Sequence, residues 1–489
     1  KKHLSVPDIK ALLDVQDYDL SERTIYNVVK SQGFERLPRR SIVAKSQTFS
    51  TVKLEAPKSV PLDFSPESFS CRDSLGIVYL LQYVQQFRLD RLIENSRYPE
   101  TKATDPLSSI LSFLALKFFH VGRYTADDVW CMDRGLGLFA GRNVLPKAGW
   151  FRSYSHRVTR QMNMALLKGL HKTWQDAGLL SDTANLDFTA IPYWGNASHL
   201  ENNWSGTRHK ALASILAVLA QEPDSGIITY SDTNIRHGNK SQVILEFLDF
   251  YKANGQDDLK YLVFDSKFTT YENLARLDPD VKFLTIRRRG KNIVEQLNEL
   301  PSSDWKTVRV PGSDGKGRIL KVHDTRVVLR DYGKEIRQIA VTGHGKIKPA
   351  LLITNDLDST CRELLHKYAR RWLVEKSISE QIQFFHLNTI SSSMVIKVNF
   401  DLTMSILAHN ILRLFARDLP GYSHHAALTL YNKFLRNSGS VQIANSAVTV
   451  CLKKKRNLPA LLTAMQPYQK QKIAVLDHRP LIIAGDTTS

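Results

Sequence analysis

The chain has 489 residues, 43% of them hydrophobic and 24% charged, with a formal net charge of +19 and an isoelectric point near 9.6. This composition excludes wholesale disorder and allows two to four domains around a large core. The excess of positive charge points to a polyanionic partner, most commonly nucleic acid, although a generally basic surface would give the same number. Four scattered cysteines (Cys71, Cys131, Cys361, Cys451) contain no CxxC pair, so reduced core thiols are expected rather than zinc ligands. The longest apolar run, Ala211–Ala220, is too short to span a bilayer. No signal peptide is visible, and a cytoplasmic, DNA-associated protein is the expectation.

Residues 5–33 read as two helices. Ser5-Val6-Pro7-Asp8 starts the first, and Ser21-Glu22-Arg23-Thr24 caps the second, with Gly33 as its stop. Ile25, Val28 and Val29 are expected to face inward. Arg23, Tyr26, Asn27 and Lys30 would then form the outward face of a recognition helix, making 1–40 a helix-turn-helix, or else a plain helical hairpin. Its first helix is expected upstream of Lys1, and the absence of an initial methionine suggests a trimmed or processed start. A basic, Pro- and Ser-rich linker follows over 41–65.

Residues 66–180 are dominated by helical periodicity (Leu75–Phe87, Pro106–His120, Ala126–Phe139, Arg152–Gly178) and predict an all-α domain for end binding or dimer contact. From Leu186 the pattern changes to alternating strands and helices. Strands are expected over Leu186–Ile191, Leu212–Ala220, Gly226–Ser231, Tyr261–Asp265 and Val281–Arg287, with helices over Asn239–Asn254 and Thr270–Leu277. This run of three strands, helix, strand, helix, strand forms the first part of an α/β core, placed at 181–289. Short strands at Lys306–Val310, Ile319–Val322, Thr325–Leu329 and Gln338–Val341 predict a β-rich insertion over 290–348. The core resumes over 349–420, and 421–489 is left as a C-terminal region. Between Lys282 and Lys348, 16 basic residues face 7 acidic ones, so Arg287, Arg288 and Arg289 are candidate phosphate contacts. Trp305 would stack on an unpaired base or simply pack in a strand.

Three carboxylates stand out in this frame. Asp187 lies on the first strand, Asp265 closes the fourth, and Glu375 lies 110 residues further on a helical stretch, Tyr368-Ala-Arg-Arg-Trp-Leu-Val-Glu. A single Asp at a strand end is more often a turn residue, and a Glu on a charged helix more often solvated. Around Glu375, however, the spacing Tyr368, Arg371, Glu375 resembles the Y-x2-R-x3-E-x6-K signature of DDE transposases of bacterial insertion elements. The resemblance runs from about Leu62 to Lys455, and Leu387-Asn388, Leu407-Ala408-His409-Asn410 and Arg413 add to it. On an ideal helix Tyr368, Arg371 and Glu375 fall within about 60° of one another, whereas Glu380 lies about 140° from Glu375.

The resemblance implies a cut-and-paste transposase with a ribonuclease H-like core. Asp187, Asp265 and Glu375 would hold two Mg²⁺ ions, with Mn²⁺ as substitute, and Tyr368 and Arg371 would contact DNA phosphates near the cut. The partners implied are double-stranded DNA at element ends and target, and a second copy of the chain in a synaptic dimer, in a bacterial, nucleoid-associated setting. A catalytically silent DNA-binding descendant and a structure-specific nuclease are the alternatives. One position departs from the signature, since Ile382 stands where lysine is expected. His386, about 20° from Glu375 on an ideal helix, is the candidate substitute cation, unless it and Ile382 belong to the core.

Overall fold

The computed structural model describes residues 57–194, 200–205, 209–253, 259–268, 270–311, 317–345, 349–389 and 394–486, together with 20–32 and isolated earlier positions. It divides into two units, Lys1–Pro57 and Lys58–Ser489.

In the first unit the helix Glu22–Ser31 forms as its sequence requires. The Ser21 hydroxyl accepts from the Thr24 N–H, Glu22 stands in the first turn and Lys30 in the last. Ile25 is buried, while Val28, expected to face inward, is 54% exposed. Arg23, Tyr26, Asn27 and Lys30 are exposed. Most of the preceding helix, Gly33 and the linker as far as residue 56 lie outside the described residues.

The second unit is built around a ten-stranded sheet. Its strands are β2 (Thr183–Pro192), β3 (Asn202–Ser205), β4 (Lys210–Gln221), β5 (Ile228–Ile235), β6 (Tyr261–Phe264), β7 (Lys282–Ile286), β8 (Lys306–Pro311), β9 (Gly317–Val328), β10 (Glu335–Thr342) and β11 (Ala350–Thr354), with β1 (Glu67–Cys71) elsewhere. The order is β3-β4-β2-β6-β7-β11-β10-β9-β8, and β5 also pairs with β4. β2, β4 and β5 are antiparallel, whereas β2, β6 and β7 run parallel. This core of five strands fits a ribonuclease H-like arrangement.

Tyr261-Leu262-Val263-Phe264 is apolar throughout because both faces of β6 are covered. Leu262 and Phe264 join a core with Phe247 and Leu274, while Tyr261 and Val263 face Leu364 and Leu365. The predicted insertion does not stand apart from this sheet: β8 to β11 continue it edge to edge through an antiparallel series from β7. β9 is one strand of 12 residues rather than two. Asp324, which breaks its apolar alternation, is paired across the strands with Arg337 at 2.8 Å. Residues 312–316 lie outside the described residues.

Residues 66–180 are mostly helical, with two differences from expectation. β1 pairs with a C-terminal strand, β12 (Gly439–Ile443), in a second sheet of order β1-β12-β13-β15-β14, completed by β13 (Val448–Leu452), β14 (Lys472–Ile473) and β15 (Arg479–Gly485). The helical residues share one hydrophobic core with this C-terminal region. The end of the expected linker is also packed, because buried Arg142 donates to the Ser59 hydroxyl and carbonyl and to the Ala103 carbonyl. The 24-residue helix Val395–Asp418 joins the two cores, contributing Val398, Leu402 and Ile406 to one and Phe400, Met404 and Leu407 to the other. Burial on nearly all sides explains why it reads as apolar all round.

Candidate active site

Strand register brings the two aspartates together. Leu186 of β2 is the parallel partner of Phe264 of β6, and both side chains enter the same core. The next residue on each chain is Asp187 or Asp265. The two-residue period turns Asp187 to the opposite face of β2, and Asp265 follows immediately after the end of β6, whose strand axis lies about 4.8 Å from that of β2. Phe188 and Phe268 stack at 3.8 Å, tying the loop that begins at Asp265 to the residue after Asp187. Asp265 and Asp187 both act electrostatically on the Tyr368 hydroxyl, which burial pushes up to about 12.

Glu375 arrives from a helix packed against this face. Sequence periodicity predicts one continuous helix from Tyr368, whereas the structure has two, Cys361–Arg370 and Trp372–Gln383, joined at Arg371. The capping box of Thr360 and Glu363 fixes the start of the first. The junction and the second helix are held from below by polar contacts. Asn185, two residues before Asp187 on the same strand face, donates to the Arg370 carbonyl at 3.1 Å, and Gln221 donates to the Ser377 hydroxyl at 2.5 Å. Asn410 donates to the Ile228 carbonyl and accepts its N–H, both at 2.9 Å, fixing β5 to the long helix. Asn185 and Gln221 were not singled out from sequence, although the period-two step from Asp187 to Asn185 was a usable signal.

At the junction the Arg371 guanidinium donates to Asp187 Oδ2 at 2.7 Å and to Glu375 Oε1 at 2.6 Å. Arg371 is 13% exposed, Asp187 17% and Glu375 39%. Burial raises the Asp187 pKa, against the pull of Arg371. Burial alone would lower that of Arg371, yet Tyr368, Asp187 and Glu375 hold it above its ordinary value. The site therefore brings together an aspartate in the middle of β2, one just past the end of β6, a glutamate from a helix and one bridging cation. Among the described residues, no three His, Cys, Asp or Glu side chains are drawn together closely enough to form a metal cluster. Glu380 is turned away from this site, with its carboxylate 2.9 Å from His409 Nδ1.

The other candidates are distributed differently. Tyr368 is partly buried against the core beneath β6 and β7, with Arg371 5.5 Å from its ring centre. Arg287 donates to Gln338 at 2.5 Å, Arg289 donates to the Pro349 carbonyl, and Arg288 is exposed. Trp305 is partly buried and packs beside Leu297, Ala340 and Leu351. His386 needs correction. The catalytic helix ends at Gln383, and His386, with a φ of 58°, packs 4.3 Å from the His120 ring with its Nε2 3.2 Å from the His120 carbonyl. It does not share the face of Glu375, and burial lowers its pKa. Ile382 packs against the core under the sheet. No helix among the described residues is long and apolar enough to cross a membrane.

Comparison with known proteins agrees with this geometry. No curated protein matches the chain. Among solved structures, a piggyBac transposase synaptic complex with hairpin DNA is similar with a TM-score of 0.39 and 9% identity, over 78% of this chain and 82% of that one. That likeness is too loose to carry an argument. The model of the transposase DDE domain matches residues 186–411, a span that includes β2, β6 and the helix of Glu375. Residues 186–411 are thus similar to the transposase DDE domain family.

Proposed function

We propose that the protein is a DNA transposase of an insertion element that binds terminal inverted repeats, cleaves the DNA ends and joins them to target DNA. The observation that carries this reading is the meeting of Asp187 and Glu375 on one guanidinium, with Asp187 and Asp265 each following one of the paired residues Leu186 and Phe264. The donor set is all carboxylate oxygen and already surrounds a positive charge, which suits hard divalent cations such as Mg²⁺ or Mn²⁺. When bound, such ions supply a polarised oxygen nucleophile and stabilise the leaving 3′ oxygen. Asp187, Asp265 and Glu375 would hold them. Gln221 holds the helix that presents Glu375 and Asn185 the end of the helix before it, and Tyr368 and Arg371 would orient a phosphate. Double-stranded DNA is the partner, and two copies of the chain would handle two ends together.

The test begins with selection of bound duplexes from a random pool, followed by Mg²⁺-dependent cleavage of the selected sequence. Asp187→Asn, Asp265→Asn and Glu375→Gln should each abolish cleavage while duplex affinity is retained. A variant that still cleaves at the parental rate would remove its residue from the site.

A further inference from the structure

We infer that Arg371 is a latch that competes with divalent cations for Asp187 and Glu375 and is released by a phosphate, so that DNA and metal load the site cooperatively. The inference rests on the carboxylate reading above and adds a regulatory role for one residue of the site. One guanidinium serves two carboxylates from separate elements, through Nη1 at 2.7 Å and Nη2 at 2.6 Å. Those oxygens are the hard donors that a divalent cation would use. A guanidinium held against them also repels a second positive charge at the same place. The arginine and the cation therefore exclude one another.

The bridging pose is also incompletely satisfied. Arg371 Nε is buried and has no hydrogen-bond partner among the described residues. A phosphate offers the guanidinium a better match, since its oxygens accept two parallel N–H bonds from the planar fork. Arg371 stands where two helices meet, beside the exposed Trp372, so the route from the carboxylates to solvent is short. A phosphate that draws Arg371 off the carboxylates raises metal affinity. By linkage, metal raises affinity for the phosphate equally.

Mn²⁺ titration of the full chain, read by the electron paramagnetic resonance signal of free Mn²⁺, tests this without turnover. Without DNA, Arg371→Met should bind Mn²⁺ about tenfold more tightly than the parent, equivalent to about 1.4 kcal/mol. Adding a short duplex should tighten Mn²⁺ binding by the parent and leave that of Arg371→Met unchanged. Should Arg371→Met lose its melting transition, Arg371→Lys, a point charge that cannot fork across two carboxylates, must still tighten binding. Equal or weaker binding by the Arg371 variant, with Asp187→Asn still abolishing binding, overturns the latch and leaves the carboxylate reading intact. Mn²⁺ binding indifferent to Asp187→Asn overturns the reading beneath it.

Discussion

The helix of Glu375 carries a second glutamate, and the surroundings of the two predict opposite phenotypes. Glu380 is 15% exposed, lies 2.9 Å from His409 Nδ1 and accepts the Ala427 N–H at 2.5 Å. His409 Nε2 is 3.1 Å from the Gly226 carbonyl, so both ring nitrogens face oxygen atoms. Burial pushes the Glu380 pKa up, but His409 and the Ala427 N–H outweigh it and leave the carboxylate below its ordinary range. Removing His409 leaves a buried carboxylate without its partner, which costs about 3–5 kcal/mol. Glu380→Ala leaves unpaired donors and should cost about 1–3 kcal/mol. Glu375→Gln alters a 39% exposed side chain in a pair worth about 1 kcal/mol or less.

At about 2.1 cal/mol/K per residue, the unit spanning 58–489 unfolds with an entropy near 0.9 kcal/mol/K, so His409→Ala should lower Tm by about 3–6 °C and Glu375→Gln by about 1 °C or less. The double variant His409→Ala/Glu380→Ala should melt above His409→Ala alone, because the stranded charge is gone. Scanning fluorimetry gives the melting points, and Mg²⁺-dependent cleavage below the lowest of them gives activity. Glu380→Ala should cleave there and Glu375→Gln should not. A His409→Ala melt within about 1 °C of the parent would refute the buried pair. Cleavage lost with Glu380→Ala but kept with Glu375→Gln would refute the assignment of the catalytic glutamate.

Arg288→Glu should weaken duplex binding across all sequences and lower the slope of log affinity against log salt by about one, measured by fluorescence anisotropy. Arg287→Glu should mainly lower stability, since Arg287 is engaged with Gln338; an unchanged salt slope for Arg288→Glu would place that residue away from DNA. For Asp356, burial alone would raise the pKa, but Ser359, Lys282 and Tyr261 hold the carboxyl well below its usual range. A depressed carboxylate contributes stability that is present above its unfolded pKa and is lost as pH falls through the folded value. Urea midpoints of Asp356→Asn should therefore fall short of the parent near neutrality and converge on it below about pH 4; a constant offset at every pH would contradict this.

What could be read from the sequence followed from the range over which each signal acts. The strands that carry Asp187 and Asp265 were legible because their own residues alternate or are wholly apolar, so placing the two aspartates on β2 and just past β6 needed only local periodicity. β1 was not, because its partner is a strand more than 360 residues away, with Glu67 opposite Ile443, and no local pattern encodes that pairing. The strands of the C-terminal sheet are short, and β14 has two residues, too few for a period to show. The same limit explains the error at His386. Its placement assumed an ideal helix from Tyr368 onward, and an angle of 100° per residue is informative only while the helix lasts. The chain leaves that geometry after Gln383, where His386 adopts a left-handed backbone against His120, a residue distant in sequence. The spacing of Arg371 and Glu375 survives, because Arg371 keeps helical backbone angles and the two lie one turn apart, from where the same guanidinium also reaches Asp187.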